Sequence, residues 1–120
     1  MGSNVEFKNF VVERLSAFGP ITPKPMFGAL AFYHQGSIIG MAIDDALYLK
    51  GDDQSKAQFE AEGLGQFTYG HKDGKQVAMS YWRAPERCLD DPDEMKRWCS
   101  LAYQAALRSK KPEKKLKKKL

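Results

Sequence analysis

Two histidines, two cysteines and three pairs of adjacent aspartates are the places where this chain could do chemistry. His34 and His71 each flank a hairpin turn. Imidazole is the usual acid–base group near neutral pH, but a turn-flanking position predicts an exposed side chain rather than a positioned base. Cys88 sits in a polar, proline-containing loop beside Arg87, a neighbour that would lower a thiol pKa. Neither Cys88 nor Cys99 belongs to a C-x-x-C or to a Cys/His cluster with metal-ligand spacing, so both are expected as reduced thiols. Asp44-Asp45, Asp52-Asp53 and Asp90-Asp91 have the positions of turns and helix caps, and their spacing matches no calcium loop. There is no G-x-S-x-G, no Ser-x-x-Lys and no carboxylate pair in a defined frame. The expectation is a protein with no catalytic residues, no metal and no cofactor.

Binding chemistry is better represented. Eight aromatic residues fall on candidate strands: Phe27, Phe32, Tyr33, Tyr48, Phe67, Tyr69, Tyr81 and Trp82. A sheet that reads single-stranded nucleic acid interleaves aromatic with basic side chains on one face. Here only Lys50 and Arg83 are evident as the basic members. With Tyr48 they form a candidate surface or ligand contact. The second basic feature is the segment from Lys110 to Leu120, KKPEKKLKKKL, whose lysines are Lys110, Lys111, Lys114, Lys115, Lys117, Lys118 and Lys119. The chain carries a net charge of +4 and this segment +6, which leaves −2 for residues 1–109. The segment reads as a flexible arm that would hold a polyanion weakly and in a salt-dependent way. No helix-turn-helix pair or zinc-finger spacing accompanies it.

The elements that must position these groups follow from spacing. Ser3 is a candidate cap with Glu6 completing a capping box. Phe7, Phe10, Val11, Leu15 and Phe18 then form an apolar stripe that Gly19-Pro20 ends. Ile21–Pro25 is extended, since two prolines in three residues exclude helix and disfavour a central strand. Strands are expected at about 24–27, 30–34, 37–43 and 46–50, with turns at Gln35-Gly36 and Asp44-Asp45. Gly28 marks a bend between the first two strands, and Gly40 a close approach by something packed on the sheet. Asp52 or Asp53 caps a short helix over 54–62 anchored by Phe59, and Gly63 stops it. A second hairpin, 66–72 and 75–83, turns at Asp73-Gly74. Asp91-Pro92-Asp93-Glu94 opens a last helix whose apolar face is Met95, Trp98, Leu101, Ala102, Ala105 and Ala106, running to about Ser109.

The order α, four strands, α, two strands, α defines an α+β fold: a mostly antiparallel five- to six-stranded sheet flanked by N- and C-terminal helices. Two units are expected, an α+β domain over 1–109 and the lysine-rich tail over 110–120. No apolar run is long enough to span a membrane and no basic-then-apolar leader opens the chain, so a cytoplasmic protein is expected. Strands such as Leu30–Tyr33 and Ile38–Ile43 are apolar on both faces, which argues for burial of both faces and hence for a homodimer.

Several of these stretches together resemble one family. Met26-Phe27-Gly28, Leu47-Tyr48-Leu49-Lys50 followed by Asp52, Phe67-Thr68-Tyr69, and Met79-Ser80-Tyr81-Trp82-Arg83 are similar to the N-terminal domain of the TfoX/Sxy proteins, over about 5–108. The resemblance implies an α–β(5)–α fold or a close variant, also similar to type III secretion chaperones. It further implies a regulator of competence genes acting beside the cyclic-AMP receptor protein. Full-length members carry a second, helical, DNA-associated domain, and the lysine run stands where that domain would begin. The favoured reading is a non-enzymatic regulatory or protein-interaction module. Direct nucleic-acid binding through tail and sheet, and an enzyme or ligand binder with an unrecognised site, are the alternatives.

Overall fold

The computed structural model describes the backbone of residues 2–26, 29–70 and 76–119, and the side chains of 6–25, 29–68 and 79–109. The expected turn at Asp73-Gly74, the bend at Gly28, His71, the side chain of Tyr69 and the side chains of the lysine-rich segment lie outside the described residues. The elements are α1 (Gly2–Leu15), β1 (Thr22–Met26), β2 (Ala29–His34), β3 (Ser37–Ile43), β4 (Ala46–Lys50), α2 (Lys56–Ala61), β5 (Gln66–Gly70), β6 (Gln76–Arg83), a 3-10 helix (Glu86–Leu89) and α3 (Pro92–Lys119). This is the α+β fold expected. α1 begins at Gly2, ahead of the anticipated cap at Ser3. The sequence predicts a stop near Ser109 in the last helix, but the backbone of α3 continues through Pro112 to Lys119. Lysine, glutamate and leucine favour helix, and one proline removes a single donor.

One antiparallel sheet of six strands runs in the order β1-β2-β3-β4-β6-β5. The second hairpin therefore enters in reverse, its later strand beside β4. Two-residue turns fix the register of the meander. Gln35 (φ 50°) and Gly36 (φ 84°) are both left-handed, the type I′ requirement that matches strand twist. β1 is an edge strand, and that is where its prolines belong. Pro23 and Pro25, two residues apart, face the same side, so neither needs to donate to β2 and both block pairing by another strand.

All three helices lie on one side. α3 packs across β3 and β4 and against α1, while α2 lies on β6. The core between the layers is built from Phe32, Ile39, Ala42, Leu47, Leu49 and Trp82 of the sheet. Val11, Leu15, Phe59, Met95, Trp98, Cys99 and Ala102 meet them from the helices. A bulge in β3 opposite Phe32 and Tyr33 allows Ile39 into this core while Ile38 turns to the other face. Gly40 does mark a close approach, but to the neighbouring strand. A Cβ there would stand 2.6 Å from the Tyr48 carbonyl oxygen and 3.1 Å from Leu49 Cδ2.

The loop after β4 is tied to the far half of α3 by one ion pair. Asp52 accepts from Arg108 Nε at 2.6 Å and from Nη2 at 2.9 Å. Its Oδ1 also accepts from the amides of Gln54 and Ser55, which forms the turn that leads into α2. The Arg108 bonds hold its carboxyl at about 2, below the ordinary 3.8. The folded value is depressed, so the stabilisation is complete above about pH 4 and is lost as pH falls toward 2. Asp52→Asn keeps the turn acceptor and removes the charge. It is expected to cost about 1 kcal/mol at neutral pH, a modest figure because the pair remains partly in water, and to flatten the acid limb of stability measured by urea unfolding. Gly40→Ala is expected to cost about 1–3 kcal/mol in the same measurement, because its neighbour is backbone that cannot swing aside.

Candidate functional site

The residues whose chemistry drew attention in the sequence are largely built into the packing. His34 is buried (8% exposed), not an exposed turn residue. Its Nδ1 donates to the Pro20 carbonyl at 2.8 Å. Its ring meets Phe18 at 4.7 Å and Tyr103 edge-on at 4.9 Å. It joins the end of α1, the β2–β3 turn and α3, and a Cβ on Gly19 would lie 2.8 Å from its Cε1. The reason the sequence misled is simple: the strand ends at a turn, but the loop after α1 and the helix α3 both cross that turn.

Cys88 likewise departs from expectation. It is buried in the 3-10 helix, and burial, then the nearby Glu94, push its thiol up to about 12 in spite of Arg87. Arg87 is engaged elsewhere: it donates to Glu62 at 2.9 and 3.1 Å and to Glu94 at 2.9 Å. Glu94 also accepts from Trp98 Nε1 at 3.2 Å. Cys99 is buried too, with its thiol raised by burial to about 12. Both cysteines are free. Asp52 and Asp91 are the turn and cap residues expected; Asp91 Oδ1 accepts from the Asp93 amide at 3.0 Å. No His, Cys, Asp or Glu group with the makings of a metal site occurs among the described residues.

What remains available is the other face of the sheet, which carries no helix among the described residues. One row of neighbouring residues crosses five strands on that face: Lys24, Ala31, Met41, Tyr48 and Arg83. Beside it lie Tyr33 opposite Ile38, and Lys50 opposite Tyr81. Phe67 of β5 meets the Tyr48 ring edge-on at 5.1 Å. Lys24 Nζ lies 5.2 Å above the Tyr33 ring, and Lys50 Nζ lies 5.4 Å above that of Tyr81. Ala31, Met41 and Tyr81 are buried yet stand outside the main core. Burial, and then Tyr33, raise the Tyr81 phenol to about 12, so it stays neutral. Among the described residues no carboxylate pairs with Lys24, Lys50 or Arg83.

Tyr48, Lys50 and Arg83, singled out from the sequence, thus share one surface. They do not share a cavity. Arg83 reaches a groove of about 300 Å³ beneath α1, lined by Phe7, Phe10, Leu47 and Leu89 and rimmed by Asp45, Glu86 and Asp90. Lys50 borders a smaller hollow of about 210 Å³ with Tyr33, Ile38 and Ala106. Tyr48 lines neither. Sequence reasoning missed Lys24, the third cation of the face. It stands between two prolines, and only its pairing with Ala31 on the edge strand brings it into the row.

A model of the TfoX N-terminal domain matches residues 13–106, well over half of the chain. The chain belongs to the TfoX N-terminal domain family. The domain is associated with competence regulators and is typically non-catalytic. Among curated proteins, none matches the chain. Within this TfoX N-terminal domain the six strands form one sheet and the three helices pack on one side of it. No helix among the described residues is long and apolar enough to cross a membrane.

The placement of the thiols has a direct consequence. Cys88 and Cys99 are expected to resist a disulfide-exchange reagent at pH 8 in the native protein and to react together once it is denatured, because the reagent needs an accessible thiolate. Rapid labelling of either in the folded state would show that the packing around the 3-10 helix opens readily.

Proposed function

We propose that this chain is a non-enzymatic regulatory module that works by holding a macromolecular partner on the open face of its sheet. The observation that carries this reading is the row from Lys24 to Arg83. It presents cations without carboxylate partners among half-exposed rings, on a surface that the helices leave uncovered. A surface that spreads its cations over several strands suits an extended partner better than a small substrate. The buried, hydrogen-bonded state of His34 and the raised thiols of Cys88 and Cys99 add support, since these groups are structural. Membership of a family associated with competence regulators supplies the regulatory context.

A protein partner falls within this reading, and so does a second copy of the chain. A symmetric dimer through the open face would set three cations against the same three cations, so self-association would use another surface. The lysines of 110–120 serve as an auxiliary contact for polyanions in this scheme.

The test is retention of partners from a host extract by the immobilised full-length protein. Lys24→Gln combined with Lys50→Gln and Arg83→Gln is expected to unfold at the wild-type temperature and to lose the partner. Conversion of the seven tail lysines to glutamine is expected to retain it. Equal retention by the face variant and the wild type would remove the open face from the function.

A further inference from the structure

We infer that the occupant of the open sheet face is a short single-stranded nucleic acid, its phosphates held by Lys24, Lys50 and Arg83 and its bases laid on Tyr33, Tyr48 and Phe67. This rests on the binding-module reading above and names its partner.

Charge is the first argument. Residues 1–109 carry −2 in total, yet this face concentrates three cations with no carboxylate partner among the described residues. A folded body that is acidic as a whole and basic on one face is arranged for an anion at that face. Repetition is the second. The cations stand at two ends of the face, Lys24 on the edge strand and Lys50 with Arg83 on β4 and β6. Four strand-to-strand steps separate Lys24 from Arg83, about 19 Å at the usual spacing. An isolated phosphate could bridge Lys50 and Arg83, diagonal neighbours on adjacent strands, but could not also reach Lys24, whereas a chain of phosphates meets all three.

The rings are the third argument. Tyr33, Tyr48 and Phe67 are half-buried and lie among the cations on the same face of the sheet. Stacking on such rings tolerates any base, because every base has a π face. An acidic peptide would satisfy the charges but has no planar groups to match three rings. A duplex hides its base faces, and the described face projects no helix or ribbon that could enter a groove. Lys24 and Lys50, resting on tyrosine rings at 5.2 and 5.4 Å, are held by the weak attraction of a cation for a π face, so a phosphate can draw them off and free the ring beneath.

The experiment uses the full-length protein and fluorescence anisotropy with two labelled probes, an oligothymidylate dodecamer and a mixed-sequence duplex of the same length. The single strand is expected to bind more tightly than the duplex. Tyr48→Leu and Phe67→Leu are each expected to weaken its binding roughly tenfold, read at a temperature where circular dichroism shows each variant fully folded. In a background with the seven tail lysines changed to glutamine, that preference persists. There the slope of log affinity against log salt is expected to be about −2, from three phosphates at roughly 0.7 each, and to flatten when Lys24, Lys50 and Arg83 are also changed to glutamine. Equal binding of duplex, indifference to the ring substitutions, or loss of all binding with the tail lysines would each overturn the proposal. If neither probe binds while the face variant still loses its partner from nuclease-treated extract, the module reading stands and a protein, not a nucleic acid, occupies the face.

Discussion

Three rings from three elements fasten the helices to one side of the sheet, and the rest of the molecule follows from that attachment. Phe59 of α2 stacks on Trp82 of β6 at 5.6 Å and meets Trp98 of α3 at 5.1 Å. All three are almost wholly buried, and Trp98 Nε1 is satisfied by Glu94, which is itself held by Arg87. Large aromatic side chains of this kind dominate the burial energy of a small core. Because they converge on the helix side, α3 must run across β3 and β4, α1 must lean on α3, and the opposite face of the sheet is left to its own side chains. The candidate site is thus a consequence of where the core had to go.

That one-sidedness also explains which parts of the fold were legible in the sequence. The meander was, because its turns are written in local residue types: Gln35-Gly36 and Asp44-Asp45 reverse the chain at fixed intervals, and strand length is set between them. The opening of α3 was legible for the same reason, through Asp91-Pro92. The placement of β6 between β4 and β5 was not, since nothing local in either strand records its non-sequential neighbour. His34 failed on the same ground. Its burial depends on Phe18 and Tyr103, sixteen residues before it and sixty-nine after it, and no pattern within its own strand carries that information.

The candidate site was half legible. Alternation placed Tyr48 and Arg83 on one side of their strands, and Lys50 followed. Lys24 fell at the start of an expected strand, but nothing in that strand records which face it shares with Tyr48 and Arg83; its pairing with Ala31 does. The expectation of burial on both faces came from Leu30–Tyr33 and Ile38–Ile43, and it rested on counting apolar residues along single strands. On the open face Ala31 and Met41 are buried, with Tyr33 and Tyr48 among their neighbours in the sheet. Lysine stems commonly cover apolar surface while their ammonium groups stay in water.

The distribution of charge then separates two surfaces that composition alone merges. The net charge of +4 hides an acidic body, and the acidic body hides a basic face. The rim of the groove under α1 carries Asp45, Glu86 and Asp90, while the open sheet carries Lys24, Lys50 and Arg83. Arg83 belongs to both, at the end of β6 where the sheet meets the groove. A polyanion lying along the sheet would be attracted along the row and repelled as it reached that rim, which limits how far along the molecule it could extend. The same polarity acts against face-to-face self-pairing. Charge thus distinguishes the open sheet face, with its cations, from the acidic rim of the groove under α1.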